Sequence, residues 1–419
     1  MRVFLKTYGC TLNQSDSETI KGILLANGVE IVEKEESADV VVLNTCTVKS
    51  QTQQKIVEKL KKLNSKKIVV AGCLVSADRA LVEKYAANAS LIGTSSVSSI
   101  HDAVRAAYAN EKKVFINTKF EDKLSLPRAR DRIIARVPIC EGCLSRCSFC
   151  ATKSARVGLH SYSEEAIMKE IKNCIELGCK EIQLTSQDVG AYGFDKGTNI
   201  AQLIKKIDTI EGDFFIRIGM MNPEHVIKII QELIDSFKSK NIYKFLHIPV
   251  QSGNNEVLKD MKRFYTVENF SDIITEFKKN LPEMTIATDI IAGYPTEDED
   301  AFEDTLNLLK KINPNVVNVS RFTPRPNTYA AKLRQLKNEV IKKRTKIVSE
   351  LCRKLELEAN KKLIGRGYKV LLTEKQNGSV TGRNPSYKQV VVDSGNVGDF
   401  VDVKIVDATY CYLKGIQLT

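Results

Sequence analysis

No apolar run in the sequence approaches the roughly 18 residues that a membrane span requires, and Val40-Val41-Val42-Leu43 is long enough only for one buried strand. The opening residues, Met1-Arg2-Val3-Phe4-Leu5-Lys6, lack the apolar core and small-residue cleavage site of a secretory leader. Low-complexity segments are missing as well. These absences argue against secretion and membrane insertion and make a cytoplasmic protein the expectation. Acidic charge is in short supply: 51 Asp and Glu face 63 Lys and Arg, a net charge of +12, so a polyanionic partner is a first candidate, although charge alone does not establish one. Hydrophobic residues at 43% and charged residues at 27% exclude wholesale disorder. A chain of 419 residues corresponds to two or three domains with full cores, which need no disulfide staples. Its 11 cysteines are an odd number in a chain without an export signal, which favours reduced thiols or metal ligands over disulfides.

Three regions follow from patterning, with an α/β fold expected for the first two. Residues 1–110 alternate strand and helix: strands at 2–7, 39–44 and 66–71, and helices at 16–27, 50–63 and 77–86. Ser15 and Glu18 fit a capping box for the first helix. This alternation predicts a parallel, doubly wound sheet. Residues 111–132, charged and carrying Pro127, read as a linker. From 133 to 330, six further strand–helix units predict a (βα)6 partial barrel, with strands at 133–138, 181–186, 214–219, 245–250, 284–291 and 316–321. Helices are expected there at 164–177 and 297–311, and a long basic helix over about 328–363 follows. From 364 to 419 short strands separated by Asn377-Gly378, Asn384-Pro385 and Ser394-Gly395-Asn396 predict a small antiparallel β-barrel.

The cysteines carry the chemistry. Cys143-x3-Cys147-x2-Cys150 follows a strand, and three thiolates at that spacing can ligate three irons of a cubane and leave the fourth open. An open iron can bind the amino and carboxylate groups of S-adenosylmethionine, whose reductive cleavage yields a 5′-deoxyadenosyl radical. Cys140 extends the run to Cys-x2-Cys-x3-Cys-x2-Cys, which also suits a closed four-cysteine zinc or iron–sulfur site. Cys10, Cys46 and Cys73 share no local motif, yet each falls just beyond an expected strand end (Thr7, Asn44, Ala71), where an open parallel sheet binds ligands. Three buried cysteines packing as small hydrophobes is the other reading. Cys174, Cys179, Cys352 and Cys411 are expected to be packing residues.

Beyond these features, the residues resemble a known family, the radical S-adenosylmethionine methylthiotransferases, over nearly the whole chain. The likeness is carried by Thr7-Tyr8-Gly9-Cys10-Thr11-Leu12-Asn13-Gln14-Ser15-Asp16-Ser17-Glu18, Asn44-Thr45-Cys46-Thr47-Val48, Ala71-Gly72-Cys73 and Glu141-Gly142-Cys143 through Cys150. In the barrel it continues through Thr185-Ser186-Gln187-Asp188, Gly219-Met220-Met221-Asn222-Pro223, Leu246-His247-Ile248-Pro249-Val250-Gln251-Ser252-Gly253, Met261-Lys262-Arg263-Phe264-Tyr265-Thr266 and Thr288-Asp289-Ile290-Ile291-Ala292-Gly293. The resemblance implies two 4Fe-4S clusters, an auxiliary one on Cys10, Cys46 and Cys73 and a radical one on Cys143, Cys147 and Cys150, with Cys140 not a ligand. It implies that strand-end groups surround S-adenosylmethionine; Gln187, Asp188, His247, Gln251, Ser252 and Asp289 are the candidates. Two departures stand out: Arg156 is followed by Val157 where the family has Gly, and Arg325-Pro326-Asn327-Thr328 replaces Arg-Pro-Gly-Thr.

The terminal barrel resembles the RNA-binding TRAM domain. Arg366, Lys369, Arg383 and Lys388 are its candidate phosphate contacts and Tyr387 a candidate base-stacking residue. The cysteine motif and Gly219–Pro223 look most like the archaeal and eukaryotic branch acting on threonylcarbamoyl-adenosine. That branch places a methylthio group on the 2-position carbon of this base at tRNA position 37. The implied partners are tRNA, an electron donor and a sulfur source. Arg325, after the sixth barrel strand, is a candidate for gripping the carboxylate of the modified base. The rivals are an enzyme acting on isopentenyl-adenosine tRNA or on a ribosomal-protein aspartate, and a non-catalytic RNA-binding metal protein.

Overall fold

The computed structural model describes residues 1–63, 66–130, 133–156, 158–376 and 378–418. The first region is a six-stranded parallel sheet of β1 (Arg2–Thr7), β2 (Glu30–Ile31), β3 (Val40–Thr45), β4 (Ile68–Gly72), β5 (Ser90–Ile92) and β6 (Val114–Phe115), in the order β2-β1-β3-β4-β5-β6. β3 is buried along its whole length. Val40 and Val42 pack with Val3, Val69 and Ile92 on one face, and Val41 and Leu43 with Ile68, Val70 and Leu91 on the other. Burial on both faces is why this strand is an unbroken apolar run rather than an alternating one. Thr7 pairs opposite Asn44 and Asn44 opposite Ala71, so β1, β3 and β4 end level with one another.

The first helix runs Thr11–Ala26, five residues earlier than its pattern suggested, with the extended Cys10 as its N-cap. The capping-box reading of Ser15 and Glu18 therefore fails. Ser15 Oγ donates to the Arg136 carbonyl, and the Glu18 carboxylate pairs with Arg128 and Arg136. The segment read as a linker is structural too. It supplies edge strand β6, buries Lys123 and Arg128, and runs so close to the first helix that a Cβ on Gly22 would lie 2.4 Å from the Pro127 carbonyl. Residues 131–132 of that expectation lie outside the described residues.

The central region holds β7 (Ile134–Pro138), β8 (Cys140–Glu141), β9 (His160–Ser161), β10 (Glu181–Thr185), β11 (Phe215–Ile218), β12 (Phe245–His247), β13 (Thr285–Ala292) and β14 (Val316–Arg321). Six of these strands form two parallel three-stranded sheets, β7-β10-β11 and β12-β13-β14, joined by a parallel bridge between Ile216 and Ile242. The antiparallel ribbon β8–β9 frames the cysteine loop. The long helix spans Asn338–Lys361 and starts ten residues later than expected; its Arg344 is buried against Glu297 and Glu299 rather than facing solvent.

The last region is a closed barrel of β15 (Gly367–Gln376), β16 (Ser379–Arg383), β17 (Gln389–Val392), β18 (Phe400–Ala408) and β19 (Leu413–Gln417), in the order β15-β16-β17-β19-β18. One seam, β17 with β19, is parallel, so the barrel is not wholly antiparallel. Its final strand begins at Leu413 because a turn closed by the Thr409 hydroxyl occupies 409–412, and it leaves Cys411 exposed rather than packed. Asn377 lies outside the described residues. The 384–388 loop docks under the central sheets. The Lys244 N–H donates to the Pro385 carbonyl at 2.8 Å, Ser386 Oγ to the Glu283 carbonyl at 2.9 Å and Lys388 Nζ to the Asn315 carbonyl at 3.1 Å. Those three partners lie one or two residues before β12, β13 and β14, so the loop caps the amino ends of the strands. Among the described residues no helix is long and apolar enough to cross a membrane.

Candidate iron–sulfur and substrate site

The level ends of β1, β3 and β4 bring Cys10, Cys46 and Cys73 to one sheet edge. Gly9, at φ +111°, turns the chain so tightly that a Cβ there would sit 2.7 Å from Cys46 Sγ. Cys10 stands at the N-cap position of the first helix and Cys73 opens a short one (Cys73–Ala77), while the Val48 N–H donates to Cys46 Sγ at 3.4 Å. Asn13 ties the set together: its Nδ2 donates to the Tyr8 and Thr45 carbonyls at 2.9 and 2.7 Å, and its Oδ1 accepts from Cys73 Sγ at 3.3 Å. The fields of Cys10 and Cys46 are felt at Cys73, and that of Cys10 at Cys46.

Cys143, Cys147 and Cys150 lie on the loop between β8 and β9. Arg263 braces it, with Nη1 donating to Cys147 Sγ at 3.3 Å, Nη2 to the Pro249 carbonyl at 3.0 Å and Nε to Tyr265 Oη at 2.8 Å. Cys140 points elsewhere. It is fully buried in the central core and its Sγ donates to the Asp188 carbonyl at 3.8 Å. A closed four-cysteine site is thereby disfavoured, because the fourth thiol is sealed in the apolar core with a partner of its own.

Burial pushes the Cys73 thiol up to about 12, against the pull of Arg156, and does the same to Cys143, helped by the charge of Asp188. Burial also raises Cys46 and Cys147; Val48 N–H and Arg325 oppose it at the first, and Arg263 at the second. These thiols need strong positive charge to ionise, and bound iron supplies it while releasing their protons. Both triads fit an iron–sulfur cluster on their donor chemistry, and partnerless buried oxygens, Asn44 Oδ1 and Gln187 Oε1, lie on the segments beside them. Among the described residues no group of His, Cys, Asp or Glu closes around a single ion.

A buried ring of charge joins the two triads. Arg156 donates to Asp16 and to Glu141, and Lys123 donates to the same two carboxylates at 2.7 and 2.8 Å. Arg156 also reaches Asn13 Oδ1 at 3.5 Å, the atom that holds Cys73. Burial opposes ionisation of Glu141, but Arg156 and Lys123 outweigh it and hold the carboxyl well down. The path from one cysteine set to the other is thus Cys73–Asn13–Arg156–Glu141, with Cys143 two residues beyond. Arg156, Lys123, Asn13 and Arg263 were not singled out in the sequence as site residues, although Asn13 and Arg263 stand inside motifs that were.

The strand-end candidates divide. His247 Nε2 lies 3.0 Å from Asp289 Oδ1, which also accepts from Asn318 Nδ2 at 2.7 Å; burial raises the Asp289 carboxyl, and these hydrogen bonds prevail and lower it. Gln187 keeps Oε1 free, while its Nε2 donates weakly to the Thr152 carbonyl. Gln251 holds a left-handed φ of +76° beside the bridge to Ile290. Ser252 is buried, and its Oγ accepts from Asn254 N–H at 3.3 Å. Asp188 is corrected from ligand contact to brace: Oδ1 accepts from Gly190 and Asn222 N–H and Oδ2 meets His225 Nδ1 at 2.8 Å, which leaves little for a ligand.

Three expected RNA or substrate contacts are also placed differently. Arg325 is buried, donating to the Thr47 carbonyl and to Gln53 Oε1 at 2.8 Å, so its guanidinium fastens the Cys46 loop instead of awaiting a carboxylate. Lys388 is buried on Asn315, and Tyr387 is half-buried with its Oη 3.2 Å from Glu181 and its ring beside Tyr243 and Phe245. Arg383 lies over the Tyr387 ring at 4.6 Å, at the margin of this interdomain joint. Asn327 has φ +63°, a conformation that glycine adopts freely and asparagine tolerates, which accounts for one departure from the family pattern. Val157, the other, lies outside the described residues.

Comparison with known proteins places the chain in a family. Family models match in three stretches: Uncharacterized protein family UPF0004 over residues 2–93, the Radical SAM superfamily over 137–309 and the TRAM domain over 361–418. A probable threonylcarbamoyladenosine tRNA methylthiotransferase of Pyrococcus horikoshii is 42% identical over the full length of both chains. The Archaeoglobus fulgidus protein of the same description is 43% identical over 99% of this chain and 98% of its own. The chain belongs to the threonylcarbamoyladenosine tRNA methylthiotransferase family. A Drosophila melanogaster member is 36% identical over 99% of this chain and 77% of its own. Among solved structures, the radical S-adenosylmethionine methyltransferase TsrM from Kitasatospora setae aligns at TM-score 0.57 and 14% identity, covering 79% of this chain and 77% of its own. OxsB, a cobalamin-dependent radical enzyme, aligns at 0.55 and 14%, covering 84% and 56%. Those two show the fold, and the family adds that this is a radical S-adenosylmethionine transferase.

Proposed function

We propose that the chain methylthiolates the 2-position carbon of N6-threonylcarbamoyladenosine at position 37 of tRNA, using two 4Fe-4S clusters and S-adenosylmethionine. The observation that carries this reading is the pair of separate thiol triads joined through one buried charge ring, with Cys140 packed in the core apart from them. Division of labour follows the regions: 1–110 holds the auxiliary triad, 133–330 the radical triad and the S-adenosylmethionine site, and 364–419 the TRAM barrel. The bound radical cluster and S-adenosylmethionine would supply the hydrogen-abstracting radical. The chain's own residues do the rest: Arg263 and Asn222, which donates to Ser145 Oγ at 2.6 Å, hold the radical loop, Asn13 and Arg325 hold the auxiliary loops, and Gln187, His247, Gln251 and Asp289 line the strand ends where S-adenosylmethionine is proposed to lie. An electron donor and a sulfur source complete the requirement.

The test is nucleoside mass spectrometry of tRNA after incubation with reconstituted protein. Methylthio product on tRNA carrying the threonylcarbamoyl group, and none on unmodified or isopentenylated tRNA, is expected. Equal turnover on those controls overturns the substrate assignment, and absence of deoxyadenosine overturns the radical reading itself.

A further inference from the structure

Four large apolar side chains stand exposed beside the two triads. Val48 (50% exposed) follows Cys46 by two residues and Leu144 (46%) follows Cys143 by one. Phe264 (63%) adjoins Arg263, which holds Cys147, and Tyr329 (51%) adjoins Ala330, whose N–H donates to the Ser148 carbonyl at 2.9 Å. Single exposed hydrophobics are ordinary, but four beside the same loops form a surface. The segment bearing Tyr329 spans from one triad to the other: Arg325 binds the carbonyl beside Cys46 and Ala330 the carbonyl beside Cys147. In Lys262-Arg263-Phe264-Tyr265 the alternate residues Arg263 and Tyr265 turn inward to the Pro249 carbonyl, while Lys262 and Phe264 turn outward. Lys262 Nζ lies 4.9 Å from the centroid of the Tyr329 ring, and Arg146 and Lys49 are exposed on the two cysteine loops.

Exposed rings interleaved with cations are what a single-stranded nucleic acid requires: a π-face for a base and positive charge for the flanking phosphate. An apolar protein loop supplies no anion for Lys262. We infer that Tyr329 and Phe264, flanked by Lys262, form a platform that receives an unstacked purine of an RNA loop at the boundary between the two triads. This rests on the tRNA reading above and adds the residues that seat the base.

The experiment measures binding of full tRNA and of its anticodon stem-loop to reconstituted protein across a salt series, with iron content confirming that each variant is intact. Tyr329→Ala and Phe264→Ala should each lose roughly 5- to 150-fold in affinity, because stacking is lost, with the salt slope unchanged. Tyr329→Phe, which keeps the ring, should bind as the parent does. Lys262→Ala should flatten the slope of log affinity against log salt by about 0.7, one phosphate contact on a single strand. Parent-like affinity in both alanine variants overturns the platform while leaving methylthiolation by the parent intact. A loss in Tyr329→Ala that Tyr329→Phe shares overturns stacking as its basis. If the parent itself neither binds nor modifies tRNA, the function proposed above fails instead.

Discussion

The two cysteine triads present the same three thiols built in opposite ways. Cys143, Cys147 and Cys150 sit within eight residues on one loop, whereas Cys10, Cys46 and Cys73 meet only because β1, β3 and β4 end level. Their supports differ accordingly. The local triad is held by Arg263, which meets Cys147 directly, and by Asn222, Ala330 and Met261, which bond Ser145 and Ser148 between the cysteines. The dispersed triad is held through an amide, Asn13, with Arg156 behind it and Arg325 on the neighbouring loop. The local loop is clamped from several sides at once; the three strand ends are gathered on one amide.

The largest expected effect breaks the comparison outright. Two cubanes imply about eight irons, so Cys143, Cys147 and Cys150 changed together to Ala should lose about half, and Cys10, Cys46 and Cys73 the other half, with the sextuple variant losing all. Iron analysis with electron paramagnetic resonance reads this, and only protein retaining the 143–150 triad should change its spectrum on adding S-adenosylmethionine. Cys140→Ala should keep its iron; loss comparable to that of Cys143→Ala would reinstate the closed site.

The ring between the triads comes next. Arg156→Gln leaves Asp16 and Glu141, both largely buried, with Lys123 as the one remaining cation of the ring. Removing one partner of such a pair costs about 3–5 kcal/mol, more than replacing the whole set by apolar residues would. The denaturant midpoint should fall steeply in Arg156→Gln and less in Arg156→Lys. An unmoved midpoint would show that the ring carries no interdomain load.

Arg325 sharpens the comparison further. Truncation to Ala leaves the buried Thr47 carbonyl without its donor, a cost of about 1–3 kcal/mol. The auxiliary iron should then bleach faster under a chelator, while discrimination between modified and unmodified tRNA stays as in the parent. Lost discrimination with normal iron retention would restore Arg325 as a substrate contact.

How much of this was legible follows from how far each contact reaches. The radical motif is local, and the strand-end placement of Cys10, Cys46 and Cys73 follows from strand–helix alternation, so both are visible in the residues. Lys123 meets Asp16 across 107 positions and Arg156 meets it across 140, and no periodicity encodes that. The segment containing Lys123 reads as linker because its charges look solvent-bound, and only the facing carboxylates from two regions make it a strap. The first helix starts at Thr11, with extended Cys10 at its N-cap position, a start that the hydroxyl-and-carboxylate pattern of Ser15 and Glu18 obscures. Lys388 and Tyr387 read as RNA contacts on composition, but the docking loop turns them inward.

That inward turn gives the smallest effect, which contrasts the barrel's two ends. Burial lowers the Lys388 ammonium from 10.5 to about 8, with Glu356 only partly opposing it. Below pH 8 the lysine is charged both folded and unfolded, so the full burial cost is present. Between about pH 8 and 10.5 the folded protein sheds the proton that the unfolded chain keeps, and stability rises with pH because the unfolded state binds more protons. From pH 8 to 9 the gain is about 1 kcal/mol. Lys388→Met should remove that rise, measured as the difference between parent and variant unfolding midpoints at each pH, where other groups cancel. A difference that stays flat from pH 8 to 9 would mean that the ammonium is solvated and the loop does not seal the amino end of the strands.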